Sequence, residues 1–175
     1  MQLAITILGS ANHDLINEVV RANTGNPCQI VDLKASIFND TYCAYLLIEG
    51  NWNQLSKFES TLHAIQKKFN CTIHSQRTEI VKNTEMLPLS IEVIGLAGND
   101  LLNQLVLFFG EKNIDVLEIN TRNYPAPYLE AKLTHARFVI SLSNDEPLFQ
   151  LRDELLYLCD SLNADLLFEP FKIGA

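Results

Sequence analysis

The chain has few positive charges. Its 175 residues include 13 Lys and Arg against 21 Asp and Glu, which gives a formal net charge of −8. Binding to the phosphate backbone of DNA or RNA needs a basic patch, and an acidic chain of this kind repels phosphate. We therefore expect no direct contact with nucleic acid, and a protein partner or a small polar ligand instead.

Cysteine is scarce and scattered. The four cysteines, Cys28, Cys43, Cys71 and Cys159, form no C-x-x-C pair, and no histidine lies at a metal-ligand spacing from them. This pattern predicts no zinc site and favours unpaired thiols in a reducing compartment. The apolar run near the start follows no basic residue and is too short for a signal peptide or a membrane-spanning helix. We expect a cytoplasmic protein without membrane contact.

Sequence motifs of common enzyme classes are also missing. The 7 glycines form no P-loop and no dinucleotide-binding fingerprint, and neither G-x-S-x-G nor H-E-x-x-H occurs. Cys71 and His74 are three residues apart on a predicted strand, so their side chains would point to opposite faces. We expect no enzymatic activity and no cofactor. An enzyme that uses Cys71, Cys43 or a histidine is the alternative.

One segment of the chain occurs twice. The stretch "ILGSANHDLINEVV" (7–20) returns as "VIGLAGNDLLNQLV" (93–106), with six identical positions at an offset of 86 residues. Glycine, alanine, aspartate, leucine, asparagine and valine recur in the same order. An offset of about half the chain is too wide for a solenoid repeat. It predicts the duplication of a whole small domain.

Apolar patterning predicts the same element order, βαββαβ, in each half. The first half has predicted strands at 3–8, 28–40, 41–50 and 71–81 and helices at 14–25 and 51–70. The second half has predicted strands at 89–96, 114–123, 128–143 and 164–171 and helices at 99–113 and 146–163. Pro125 and Pro127 are expected to prevent strand pairing at the tip of the second hairpin.

This order indicates an α+β fold built from two ferredoxin-like units. Right-handed crossovers turn each βαββαβ unit into a four-stranded antiparallel sheet with two helices on one face. We predict one domain at 1–82, a linker at 83–88 and a second domain at 89–175. The other face of each sheet would be bare, and "CAYLLI" (43–48) is apolar on both sides of its strand. Pairing or stacking of the two units would bring their βα turns near a domain junction.

A strand that ends in glycine, a short turn and a helix, within a βαββαβ unit of this length, resemble the ACT domain, a regulatory amino-acid-binding module. The segment "GNWNQLSKFESTL" (50–62) is similar to a segment of the glycine cleavage system transcriptional repressors, G-x-W-N-x-(x)-x-x-E-S-T-L. The matching residues are Gly50, Trp52, Asn53, Glu59, Ser60, Thr61 and Leu62. The resemblance implies tandem ACT domains that bind a LysR-type transcriptional activator and hold it in a repressing state, with glycine reversing the association.

The resemblance places an amino-acid site at the first βα turn of each half. The family's turn usually reads D-R-P-G, whereas this chain has residues 11–14, "ANHD", and 97–100, "AGND". A helix N-terminus offers N–H donors to a ligand carboxylate, and Asp14 or Asp100 could meet its ammonium. The predicted ligand-binding residues are Asn12, His13, Asp14, Gly98, Asn99 and Asp100. Alternatively, Asp14 and Asp100 only cap or stabilise their own helices.

Three aromatic residues are predicted partner contacts. Trp52 stands at a strand–helix junction, where it would contact a partner or anchor the helix on the sheet. Tyr124 and Tyr128 flank the proline-stiffened segment "YPAPY" (124–128), which would lose little entropy on docking; a plain surface loop is the alternative. The second functional interpretation is an amino-acid-sensing ACT module that regulates another enzyme or regulator. A homodimer is compatible with either function.

Overall fold

The computed structural model describes residues 1–25, 27–79, 86–97, 100–126, 130–143 and 147–170. The chain divides into two compact units, Met1–Lys82 and Asn83–Ala175. The element order within each unit is βαββαβ, and the four strands of each unit form one antiparallel sheet. The predicted α+β fold with two ferredoxin-like units is therefore confirmed.

Unit 1 consists of β1 (Gln2–Ser10), α1 (His13–Ala22), β2 (Gln29–Phe38), β3 (Thr41–Glu49), α2 (Trp52–Phe69) and β4 (Thr72–Thr78). Its sheet has the strand order β2-β3-β1-β4. Ile5 of β1 pairs with Leu46 of β3, and both side chains are buried beneath the helices. An apolar stripe of α2 packs onto this face through Leu55, Phe58, Leu62 and Ile65. Alternate strand residues therefore face away from the helices, on the bare face of the sheet.

Helix α2 is capped at both ends by asparagines. The Asn51 side chain accepts the N–H of Gln54 at 3.0 Å, and the Gln54 side chain accepts the N–H of Asn51 at 2.8 Å. This reciprocal capping box identifies Asn51 as the N-cap. At the other end Asn70 has φ 46°, a left-handed conformation that asparagine tolerates well and that ends the helix.

Unit 2 consists of β5 (Met86–Leu96), α3 (Leu101–Glu111), β6 (Asp115–Pro125), β7 (Lys132–Ser143), α4 (Leu148–Ser161) and β8 (Ala164–Pro170). Its strand order, β6-β7-β5-β8, repeats that of unit 1. Phe109 of α3 and Phe138 of β7 are fully buried, with ring centroids 5.3 Å apart. Strand β5 begins at Met86, so residues 86–88 of the predicted linker belong to this strand.

The expectation that Pro125 prevents strand pairing is wrong. Strand β6 continues through Pro125, which pairs with Lys132. The neighbouring Ala126 N–H donates to the Ala131 carbonyl at 2.9 Å, so Pro125 occupies the pair that exchanges no hydrogen bonds. Because β6 is an edge strand, the nitrogen without a hydrogen faces the open side, where no ladder bond is lost. Pro127 lies outside the described residues.

The glycine that recurs in both units is required by close packing at the end of the first strand of each. A Cβ on Gly9 would lie 2.7 Å from the Cβ of Cys71, and a Cβ on Gly95 would lie 2.9 Å from the Cβ of Ala164. Real Cβ atoms do not approach so closely, so only glycine fits without a shift of the neighbouring strand.

The alanine that recurs two residues after each of these glycines has a role through its backbone N–H. The Ala11 N–H donates to the Asp40 carbonyl, and the Ala97 N–H donates to the Lys132 carbonyl, both at 2.7 Å. Each bond ties the start of a βα turn to the neighbouring hairpin. Part of the repeated segment is thus explained by the fold alone.

Both units also share a β-bulge on the edge strand. The pairing of β2 with β3 shifts between Ile30 and Asp32, and that of β6 with β7 shifts between Val116 and Glu118. A bulge inserts one residue and so changes which side chains of the strand share a face. After the bulge, Lys34 lies on the bare face of its sheet, opposite Tyr45.

Candidate functional site

The predicted ligand site of unit 1 lies at the start of α1. Asn12 is the N-cap residue, and its side-chain oxygen accepts the N–H of Asp14 at 2.9 Å. Asp14 is exposed in the first turn, and His13 is the first residue of the helix; the His13 side chain lies outside the described part. The structure therefore brings Asn12 and Asp14 together at a helix N-terminus, where the helix dipole favours an anion.

The corresponding site of unit 2 is arranged differently. Asp100 is the N-cap residue of α3, but its side chain makes no capping hydrogen bond. Its carboxylate accepts a hydrogen bond from Gln104 at 3.0 Å and a longer one from Asn103 at 3.5 Å. Asp100 thus stabilises the first turn of its own helix, the alternative raised by the sequence. Gly98 and Asn99 lie outside the described residues.

Trp52, a predicted partner contact, is the first residue of α2 and is 60% exposed. Its ring lies 5.2 Å from the Arg77 guanidinium of β4. Arg77 also donates to Glu59 and to Ser56, each at 2.8 Å, and the bond to Glu59 raises the pKa of Arg77. The ring is therefore mostly exposed but contacts strand β4 through Arg77. Trp52 and Glu59, both in the repressor-like segment, meet at one arginine.

The second predicted contact, Tyr124, belongs to a strand. It lies on β6 opposite Leu133 and is 46% exposed. The description of residues 124–128 as one loop is therefore wrong at its start, because pairing with β7 continues beyond Tyr124. Tyr128 lies outside the described residues. An exposed tyrosine on an edge strand is still compatible with a partner contact.

Three of the four cysteines are buried. Burial raises the pKa of Cys28 and Cys71, and it raises the pKa of Cys159 to about 11. A thiol with a raised pKa yields little of the reactive thiolate near neutral pH, which argues against a nucleophile at Cys71. Within the described ranges, no three His, Cys, Asp or Glu side chains are grouped as metal ligands.

The sequence did not predict a pocket on the bare face of the unit 1 sheet. The pocket has a volume of about 560 Å³, and its walls include Thr6, Leu8, Lys34, Ser36, Phe38, Cys43, Tyr45 and Thr72. These side chains come from all four strands. The only signal in the sequence was the segment "CAYLLI", which is apolar on both sides of β3.

Comparison with known proteins identifies the architecture. Residues 1–76 match the family model of the ACT domain. The whole chain also superposes on a crystal structure assigned as a glycine cleavage system transcriptional repressor, with a TM-score of 0.72, 21% sequence identity and 98% of each chain covered. The family likeness of residues 1–76 is thus to the ACT domain, and unit 2 repeats the same element order and strand order.

Two further likenesses extend along most of the chain. It is 24% identical over 164 residues to the glycine cleavage system transcriptional repressor of Escherichia coli (strain K12), covering 93% of this chain and 86% of that protein. It also superposes on the crystal structure of an unknown protein from Galdieria sulphuraria, with a TM-score of 0.80, 14% identity and 98% of each chain covered.

The sequence likeness to a repressor, together with the ACT fold, supports a regulatory, amino-acid-sensing role. Among the residues that the structure describes, none of the helices has both the length and the apolar character needed to cross a membrane.

Proposed function

We propose that this protein represses the glycine cleavage system by binding a LysR-type transcriptional activator, and that glycine or another small amino acid modulates the contact. The observation that carries the proposal is the 24% identity to the Escherichia coli repressor over 93% of the chain. The net charge of −8 also supports repression through a protein partner, because an acidic surface disfavours direct DNA binding.

The effector acts by linkage in this proposal. A ligand that binds the free and the activator-bound protein with different affinities shifts the equilibrium between them. We place the ligand at the βα turns, with Asn12, His13 and Asp14 in unit 1 and with Gly98, Asn99 and Asp100 in unit 2. The ammonium would meet an aspartate, and the carboxylate would accept N–H groups of the helix start.

The α1 turn is the stronger of the two candidate sites. The Asp14 carboxylate is exposed at the helix start, whereas the Asp100 carboxylate already accepts a hydrogen bond from Gln104. A ligand ammonium at Asp100 would therefore compete with an existing partner. For the activator, we propose contacts at Trp52, Tyr124 and Tyr128, of which Trp52 and Tyr124 are substantially exposed.

Calorimetric titration with glycine, alanine, serine and leucine tests the effector. We expect one of the amino acids to bind, and Asp14→Ala to weaken that binding about tenfold, because a charge-assisted contact is lost. Asp100→Ala, in the weaker of the two sites, should reduce the affinity less than Asp14→Ala does, because the Asp100 carboxylate already accepts a hydrogen bond from Gln104. Equal loss in the two variants, or none in either, would contradict the assignment to α1.

A second measurement tests the partner. The purified LysR-type activator of a glycine cleavage operon is immobilised, and binding of this protein is recorded with and without the amino acid identified by calorimetry. Repression by contact requires binding that the amino acid weakens. An amino acid that binds without any contact to the activator would favour the second function, a sensing module for another enzyme or regulator. The unusual turn "ANHD" favours that alternative, since Asp14 stands where the family usually has glycine.

A further inference from the structure

The pocket on the bare face of unit 1 has the dimensions of a small-molecule site. Its volume of about 560 Å³ lies within the range usual for such sites. It is formed by strand residues of a regular sheet, so its walls are held by the β1–β3 and β2–β3 ladders. It opens on the face away from α1 and α2, opposite the face that carries the α1 turn.

The pocket combines one positive charge with apolar walls. Lys34 is the only charged side chain among the described residues that line it, in a chain of net charge −8. Its ammonium lies 5.5 Å from the centre of the Tyr45 ring. Phe38 and Leu8 are 63% and 51% exposed at the rim, and Thr6, Ser36 and Thr72 add hydroxyl groups. These groups can together hold an anion that also has an apolar part.

We propose that this pocket binds a small organic acid with an apolar body. Its carboxylate accepts hydrogen bonds from the Lys34 ammonium, which has three donors. The hydroxyls of Thr6, Ser36 and Thr72 contribute further polar contacts. The body of the acid packs against Phe38, Leu8 and the Tyr45 ring, which together exclude water from one side. This site is separate from the α1 turn, and the inference does not depend on the proposed function.

The side chains that form this pocket differ from those at the matching positions of unit 2. In the strand registers, Thr6, Cys43 and Tyr45 occupy the places that Glu92, His135 and Arg137 occupy in unit 2. There the Glu92 carboxylate lies 3.1 Å from His135 and 3.8 Å from the Arg137 Nε. A cluster of long, mutually paired side chains thus stands where unit 1 has shorter hydroxyl and thiol groups around an aromatic ring.

Two further positions of the pocket also differ between the units. Lys34 pairs with Tyr45, and the corresponding residue beside Arg137 is Asn120. Phe38 corresponds to Tyr124. Phe38 pairs with Thr41 of β3 and Tyr124 pairs with Leu133 of β7, and Thr41 and Leu133 have the same register position in the two units. The pair Phe38 and Tyr124 therefore provides matched variants, one within the pocket and one at the same register outside it.

Cys43 provides a direct readout of occupancy. It is the partly buried cysteine and lines the pocket, whereas Cys28, Cys71 and Cys159 are buried. Iodoacetamide should modify Cys43 first in the folded protein. The probes are 3-phenylpropionate and its uncharged amide, 3-phenylpropionamide, which have the same apolar body. We expect the acid to slow alkylation of Cys43, located by peptide mass spectrometry, and the amide to do so about tenfold less effectively.

Variants of the full chain test separately how the charge and the apolar wall contribute to binding. Lys34→Gln should weaken binding of 3-phenylpropionate about tenfold and leave that of the amide unchanged, while Lys34→Arg should retain most of the affinity. Phe38→Ala should weaken both probes about fivefold, and Tyr124→Ala should weaken neither. Circular dichroism of each variant checks that the fold is kept, as expected because Phe38 and Tyr124 are exposed and Lys34 is only partly buried.

Three results would overturn the inference. Equal protection of Cys43 by the acid and the amide would remove the role of Lys34. Binding that is lost equally in Phe38→Ala and Tyr124→Ala would place the acid elsewhere. A dimer detected by sedimentation, which dissociates in Phe38→Ala and excludes the acid from Cys43, would assign this face to a second copy of the chain.

Discussion

The tight contact at Gly9 leads to a prediction with a built-in control. Gly9→Ala would place a Cβ 2.7 Å from the Cβ of Cys71, so β1 and the start of β4 must separate. Overpacking of this kind costs about 1–3 kcal/mol, and the lower chain entropy of alanine offsets about 0.5–1 kcal/mol of that cost. We expect a net loss of about 1–2 kcal/mol in the unfolding free energy of unit 1.

The measurement is urea denaturation followed by fluorescence of Trp52, which is the single tryptophan of the chain and lies in unit 1. For a unit of this size the slope is about 1 kcal/mol per molar urea, so the midpoint should fall by about 1–2 M. Gly110→Ala is the control: nothing lies within 4 Å of its added Cβ, and alanine favours a helix. Followed by circular dichroism, Gly110→Ala should raise the stability of unit 2 by up to about 1 kcal/mol.

A rescue variant identifies the contact itself. Cys71→Ala keeps the Cβ and should not restore Gly9→Ala, whereas Cys71→Gly removes it and should recover part of the loss. An unchanged midpoint for Gly9→Ala, or equal behaviour of the two Cys71 variants in the Gly9→Ala background, would refute the packing argument.

Three further predictions concern stability. Asn51→Ala removes the capping box of α2 and should destabilise unit 1 by about 1 kcal/mol in urea. Phe138→Ala should destabilise unit 2 by about 3–5 kcal/mol because the ring is fully buried, while Phe149→Ala, at a side chain 79% exposed, should stay within about 0.5 kcal/mol. Burial raises the pKa of Cys159 from its ordinary value near 9 to about 11. The unfolded chain thus loses this proton first, and the unfolding free energy should fall between those pH values more steeply than in Cys159→Ala.

The parts of the fold that depend on local sequence could be predicted. The repeated segment carries Gly9 and Gly95, and the apolar stripe of α2 marks its buried face, so the element order and the duplication could both be inferred. The cap of α2 does not follow from the sequence alone, because Asn51 and Asn53 can each accept an N–H. The reciprocal bond with Gln54 identifies Asn51. The prediction for Pro125 was wrong because a proline disrupts strand pairing only where its nitrogen faces the partner strand.

The pocket could not be predicted because a bulge changes which side chains of the edge strand β2 share a face. Simple alternation puts Lys34 on the same face as Ile30, which packs against the core. The bulge between Ile30 and Asp32 reverses this order, so Lys34 lies on the bare face beside Tyr45. A bulge of this kind is a property of the pairing between two strands, and neither strand alone reveals it.

The same bulge also bears on the history of the chain. Ile30 pairs with Ile48 and Val116 with Ile140 at the point where each edge strand shifts, so the irregularity occurs at one register in both units. One inheritance explains it more simply than two separate insertions, which makes the bulge older than the duplication. The side chains around it have since diverged, with lysine and tyrosine in one copy and asparagine and arginine in the other. The ancestral backbone thus supplied a platform on which the two descendants acquired different surface chemistry.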